Sequence, residues 1–300
     1  MSATILNCQQ LFESVKQKCT DRIRANEHKN DDPARYRPRV LILTCTDDDA
    51  TARYLRNKCR DFQELGIEYI VQKFSNPIRT DLVHNVIEPA NRNFYINGIM
   101  VQLPFENSDR DKYITAIDPR KDIDGMGIVS AGQLWTDRRP RFHPCTPEGI
   151  MTILNYWDIP LAGENVCVIN RSNIVGKPLA NLLLQKNACV TICHSKMHRE
   201  RIIKHMKQSS VVISAVGRPN YWKADDIAPG STLIDVSINL NEDHKLCGDF
   251  DKSCAEVAGM MTPVPGGVGL MTRAVLLHNI VSAWEEQNYA ARHQFAETGN

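Results

Sequence analysis

Neither sign of charge prevails in this 300-residue chain: 36 lysines and arginines stand against 35 aspartates and glutamates, a net of +1 with histidine neutral. Such a balance supplies no overall field to gather nucleic acid or an anionic membrane surface, so neither is an expected partner and any anion must be held locally. Long apolar runs are also missing. Stretches such as Val211-Val212-Ile213-Ser214-Ala215-Val216 fall far short of the roughly 20 residues that cross a bilayer. The first thirty residues lack the continuous apolar core of a secretory signal, and they carry Glu13, Asp21 and Glu27, which mitochondrial presequences avoid. A cytoplasmic location is therefore expected. Ten cysteines include no C-x-x-C pair. Reduced structural thiols and no metal are expected, with Cys189 and Cys193, on one face of a strand, as the weak exception.

What the chain does have is regular alternation. A 42% hydrophobic share suits ordinary cores, and the length favours two domains. Leu11, Val15, Cys19 and Ile23 predict an amphipathic helix over 9–27. The apolar run 39–44 predicts a strand, and Tyr54, Leu55, Cys59, Phe62 and Leu65 a helix that Gly66 closes. Strands at 67–71 and 98–103 flank a helix over 82–92, an alternation that predicts a parallel sheet. Segment 118–147, rich in Pro, Gly, Asp and Arg, reads as a long irregular connection. Past a helix over 146–157, strands at 165–169, 189–193, 211–216, 231–236 and 257–261, with helices after Pro178 and near His198, predict a doubly wound sheet. A final helix over 272–287 buries Val275, Leu276, Ile280 and Trp284, and the last dozen residues read as a tail. The expected domains are 1–147, joined by the C-terminal helix 272–300, and 148–271.

Two loops are built for close approach. Thr262-Pro263-Val264-Pro265-Gly266-Gly267-Val268-Gly269 holds three glycines, two prolines and no charge, a composition that shapes backbone for a ligand more than for solvent. Asn170-Arg171-Ser172-Asn173-Ile174-Val175-Gly176-Lys177 lies between a strand and a helix opened by Pro178, where free N–H groups and the helix dipole favour a phosphate. Only Gly176 occupies a glycine position there, so the G-x-G-x-x-G fingerprint is absent and the turn alone is weak evidence.

In chain order, Val101-Gln102-Leu103-Pro104, Lys121-Asp122-Ile123-Asp124-Gly125, Pro144-Cys145-Thr146-Pro147, Arg171 to Pro178, Cys193-His194-Ser195, Gly248-Asp249 and the Pro-Gly-Gly loop resemble the methylenetetrahydrofolate dehydrogenase/cyclohydrolase family. The resemblance implies a two-domain α/β fold, a folate-binding catalytic domain and a Rossmann-type dinucleotide domain with a cleft between them. It implies hydride transfer from 5,10-methylenetetrahydrofolate, with or without a polyglutamate tail, to a nicotinamide in one-carbon metabolism, and a homodimer. Lys58, Gln102 and Tyr54 become the catalytic candidates: Tyr54 stacks on the substrate's ring system, and Gln102 orients Lys58. Val101, Leu103, Asp124, Pro265 and Gly266 join them as substrate contacts, Asp124 as pterin anchor, while Asp122 shapes the loop. The cofactor candidates are Thr146, Asn170, Arg171, Ser172, Val175, Gly176, His194, Ser195, Ala215, Gly217, Ile238 and Thr272.

The chain departs from the family pattern at Thr46, Asp49, Thr51, Asn170 and Leu270. Asn170 puts a side chain where backbone normally nears the dinucleotide. These departures resemble the fungal monofunctional NAD-dependent branch, which implies NAD and no cyclohydrolase. Motif logic alone points the other way, since Cys193-His194-Ser195-Lys196 offers no acidic residue for a free ribose and Arg171 suits a 2′-phosphate. The alternative is thus the bifunctional NADP enzyme, and, from another class, a catalytically silent dinucleotide sensor.

Overall fold

The structure, a computed structural model, describes residues 2–27, 29, 32–45, 49–75, 79–102, 110–138 and 140–298. Its elements in chain order are β1 (Thr4–Ile5), α1 (Gln9–Asn26), β2 (Arg39–Thr44), α2 (Asp49–Leu65), β3 (Glu68–Lys73), α3 (Thr80–Arg92), β4 (Gly98–Val101), α4 (Arg110–Ala116), α5 (Ile128–Trp135), α6 (Cys145–Tyr156), β5 (Asn165–Ile169), α7 (Gly176–Leu184), β6 (Cys189–Cys193), α8 (Arg199–Lys207), β7 (Val211–Ser214), β8 (Thr232–Asp235), β9 (Asn239–Leu240), β10 (Leu246–Cys247), β11 (Met260–Met261) and α9 (Val268–Thr298). Two compact units result. One holds residues 14–133, 139–143 and 276–300; the other holds 1–13, 134–138 and 144–275.

In the first unit a parallel sheet runs β3-β2-β4, with Ile42 opposite both Val71 and Met100. The central strand β2 is an unbroken apolar run because both of its faces are covered. On one face Leu41, Leu43, Ile99 and Val101 meet Val83, Ile87 and Ala90 of α3 and Tyr113 and Ile114 of α4, a two-residue period packed against a helical one. On the C-terminal helix, Trp284 is fully buried and donates from its indole to the Arg35 carbonyl at 2.9 Å.

The segment expected to be an irregular connection, 118–147, is more ordered than its composition indicates. It contains α5, and Asp122 bridges in parallel to Ile99, extending the edge of the sheet. The Asp122 carboxylate accepts from the N–H groups of Met126 (3.2 Å) and Gly127 (2.8 Å) and from the Ser130 hydroxyl (3.2 Å). A buried acid organises the entry to a short helix whose own periodicity is too brief to read.

In the second unit the sheet is six-stranded and parallel, ordered β1-β11-β8-β7-β5-β6. The order reverses at β5, flanked by β6 on one side and β7 on the other, which opens a crevice beyond the strands' carboxyl ends. Several expectations are corrected here. Residues 1–13 belong to this unit, because β1 pairs with β11 (Thr4 opposite Met260). The strand expected over 257–261 shortens to Met260–Met261 after a 3₁₀ turn at Lys252–Glu256. A small antiparallel pair, β9 and β10, had no sequence signal. The last helix begins at Val268 rather than Thr272, and it continues to Thr298 where a tail was expected. No helix of the described residues is long and apolar enough to cross a membrane.

Candidate functional site

Helix α2 puts Tyr54 and Lys58 four residues apart on one face. Lys58 is 6% exposed; its Nζ lies 4.8 Å from the Tyr54 ring centroid and donates to Gln102 Oε1 at 3.1 Å. Among the described residues no carboxylate lies within ion-pair distance of it. Gln102 is held in turn, its backbone N–H donating to the Leu43 carbonyl at 2.8 Å just past β4, so it projects from the carboxyl end of the sheet. Val101, buried, ends that strand.

Asp124 is also buried. It stands two residues past the Ile99–Asp122 bridge, inside a turn that the Gly125 N–H closes onto the Asp122 carbonyl at 3.0 Å. Its loop is pinned from both sides. Asn279 of α9 donates to the carbonyls of Ile123 (2.9 Å) and His143 (3.2 Å). Lys121 donates to the carbonyls of Ala90 and Asn93, each at 2.8 Å, where α3 ends, and burial lowers its ammonium to about 8. Burial raises the Asp122 carboxyl, with the nearby Asp124 charge adding to it. The sequence expectation that Asp122 shapes the loop agrees with its three donors. Leu103, and with it Thr46, lies outside the described residues. Pro265 and Gly266 belong to the other unit.

In that unit a pocket of about 430 Å³ opens at the carboxyl ends of β5, β6 and β7. Ile169, Asn170, Arg171 and Ser172 line it after β5; His194, Ser195, Met197, Arg199 and Ile202 after β6; and Ala215, Val216, Arg218, Tyr221 and Trp222 after β7. Three guanidiniums and no carboxylate face an apolar floor, a lining that fits the adenosine and phosphate end of a pyridine nucleotide. His194 Nδ1 accepts from the Lys196 N–H at 3.3 Å, which leaves the proton of a neutral ring on Nε2.

Asn170 lies on the pocket lining, and its amide is engaged within the loop. Nδ2 donates to the Ala215 carbonyl at 2.7 Å, and Oδ1 accepts from Ser172 N (2.8 Å), Ser172 Oγ (2.7 Å) and Gly176 N (3.1 Å). One side chain thus bends the turn that a glycine-rich backbone would otherwise make. Gly176 remains necessary, because a Cβ there would lie 2.2 Å from the Asn170 carbonyl oxygen.

The other cofactor candidates do not line this pocket. Val175 is the N-cap of α7. Gly217 N–H donates to Ser237 Oγ at 3.0 Å, beside the half-exposed Ile238. The hydroxyls of Thr146 and Thr272 lie 3.2 Å apart, at the starts of α6 and α9. The loop 262–269 is tied down: Gly266, at φ +111°, offers its carbonyl to Cys8 N–H at 2.9 Å. Sequence reasoning missed Ile169 at the end of β5 and Met197, Arg199, Ile202, Val216, Arg218, Tyr221 and Trp222. Their positions at or after the carboxyl ends of β5, β6 and β7 were the available signal.

Two buried acids organise this strand end. Asp249 accepts from Ser214 Oγ (2.7 Å), Val216 N (2.8 Å), Arg218 N (3.0 Å), Ser237 Oγ (2.8 Å) and Asn239 Nδ2 (3.1 Å). Asp235 accepts from Asp249 N (3.0 Å) and Phe250 N (2.9 Å). Burial, with the charge of Asp249, pushes the Asp235 carboxyl up to about 7. A folded-state value above the unfolded one means that the native chain holds this proton longer, so stability falls as pH rises from about 4 to about 7 and levels off above. Asp235→Asn is expected to flatten that limb by up to about 1.4 kcal/mol per pH unit. Urea unfolding at pH 5, 6 and 7 checks it, and equal slopes in both proteins would refute it.

Residues 6–124 match the catalytic domain of the tetrahydrofolate dehydrogenase/cyclohydrolase family, and residues 144–288 match its NAD(P)-binding domain. The bifunctional protein FolD of Burkholderia pseudomallei is 40% identical over 293 residues, 97% of this chain and 100% of the relative. Among solved structures, the N5,N10-methylenetetrahydrofolate dehydrogenase-cyclohydrolase of Trypanosoma brucei, complexed with NADP and an inhibitor, superimposes with a TM-score of 0.88 at 26% identity, covering 95% of this chain and 98% of that one. The NAD-dependent 5,10-methylenetetrahydrofolate dehydrogenase of Saccharomyces cerevisiae gives 0.79 at 21% identity over the same shares, a likeness of fold alone. The special likeness expected to the fungal monofunctional branch therefore gives way to the bifunctional relatives.

Proposed function

This chain belongs to the tetrahydrofolate dehydrogenase/cyclohydrolase family, and on that premise we propose that it oxidises 5,10-methylenetetrahydrofolate with NADP and hydrolyses the methenyl product. The observation that carries NADP over NAD is the pocket beyond β5, β6 and β7, with three guanidiniums and no acidic residue to claim a ribose 2′-hydroxyl. The cyclohydrolase half rests on Lys58, Gln102 and Tyr54, which remain together. NAD and a monofunctional dehydrogenase, implied by the fungal resemblance, become the second reading.

A bound pyridine nucleotide would supply the hydride acceptor, its adenosine end held by Arg171, Ser172, His194, Ser195 and Ala215. The chain's own residues do the rest. Tyr54 offers a ring face to the folate, and Asp124 a carboxylate to two parallel N–H groups of the pterin edge. Lys58 has donors left beyond Gln102, and we assign it proton exchange with a substrate nitrogen or the attacking water. Gln102 fixes where that ammonium points. Since no carboxylate among the described residues pairs with Lys58, its donors are not drawn away. The homodimer stays a proposal, to which the edge strand β3 lends support by leaving Ile70 and Val71 exposed.

Initial rates with NADP and NAD at equal concentration, together with hydrolysis of supplied methenyltetrahydrofolate, test the reading. NADP is expected to be favoured about tenfold or more, the worth of a charge-assisted contact to one phosphate, and hydrolysis to be measurable. Faster turnover with NAD and no hydrolysis would restore the monofunctional reading.

A further inference from the structure

Arg171 is the cation that the family resemblance supplies, but the pocket holds two more, and they differ. Arg199 pairs with the buried carboxylate of Asp226, so its charge is largely answered within the protein. Arg218 is exposed, and among the described residues no carboxylate pairs with it. It is nevertheless ordered. Its backbone N–H donates to Asp249 Oδ1 at 3.0 Å, and its guanidinium carbon lies 4.9 Å from the centroid of the Tyr221 ring. A guanidinium stacked on an aromatic face keeps its in-plane N–H groups free for a bidentate acceptor.

We propose that Arg218, steadied by Tyr221, is a second recognition residue for the 2′-phosphate of NADP, acting with Arg171 from a different loop of the same pocket. The assignment rests on the NADP reading above and deepens it. Arg218 touches the phosphate, whereas Tyr221 is a positioning residue that sets the plane of the guanidinium. Two cations on separate loops of one pocket can share a dianion, so discrimination depends on both.

The test compares Arg218→Gln and Arg218→Lys with the unaltered protein. Adenosine 2′,5′-bisphosphate and 5′-AMP are titrated calorimetrically, and KM is measured for NADP and NAD. Arg218→Gln is expected to weaken the bisphosphate about tenfold or more with little effect on 5′-AMP, and to raise KM for NADP much more than for NAD. The lysine variant, which keeps the charge without the planar fork, is expected to recover part of the loss. Tyr221→Leu is expected to raise KM for NADP, and Tyr221→Phe to preserve it. If the unaltered protein binds both adenosine probes equally and prefers NAD, the NADP reading itself fails. If it prefers NADP and Arg218→Gln leaves that preference intact, only the role of Arg218 is overturned.

Discussion

Replacing Lys58 by methionine is expected to lower methenyl hydrolysis by about 10²–10⁴-fold, the usual worth of a positioned acid or base. Methionine nearly fills the volume, so the change removes the proton and the donor to Gln102 without opening a large void. Thermal stability is expected to hold or rise, because a buried charge with no carboxylate partner among the described residues is replaced by an apolar chain of similar size. The joint outcome matters. A collapse of activity together with unfolding would make Lys58 a structural residue, and full hydrolysis in a stable Lys58→Met protein would remove it from the chemistry. Stopped-flow hydrolysis beside a thermal melt separates the cases.

Replacing Asp249 by alanine is expected to cost about 4 kcal/mol of stability or more. The side chain is fully buried and answers five donors from Ser214, Val216, Arg218, Ser237 and Asn239. Removing it leaves those groups unsatisfied, and bonds to a charged acceptor are worth about 1.5–3 kcal/mol each, though not additively. Since two of the donors are main-chain groups of the loop after β7, nucleotide binding is expected to weaken alongside. Urea unfolding measures the first effect, and a loss below about 1 kcal/mol would show that the network is replaceable.

Both acids of that network, Asp235 and Asp249, explain where sequence reading stops. Local signals served well. The apolar run of β2 was legible because both faces are covered, whereas the Tyr54–Lys58 pair came from the family resemblance, its four-residue spacing only permitting the contact. Gly176 was legible too, although the reason for it, the Asn170 carbonyl against which a Cβ would collide, was not. Helix α5 escaped because its order comes from Asp122, whose partners lie up to eight residues away. Strand β1 escaped because its pairing spans almost the whole chain. Arg218 escaped because an arginine between Gly217 and Pro219 looks like any solvated charge, and only Tyr221 and the fold of the loop distinguish it. What was missed depends on side-chain and strand contacts, near or far in sequence, that leave no hydrophobic period to read.

The Asp235 carboxyl gives folding itself a chemical signature. Between about pH 4 and pH 7 the native chain carries a hydrogen ion at the end of β8 that the open chain has surrendered. The hydrogen ion is therefore a ligand of the native state. Each unit of acidification in that interval acts on the melting equilibrium as a tenfold rise in any stabilising ligand would.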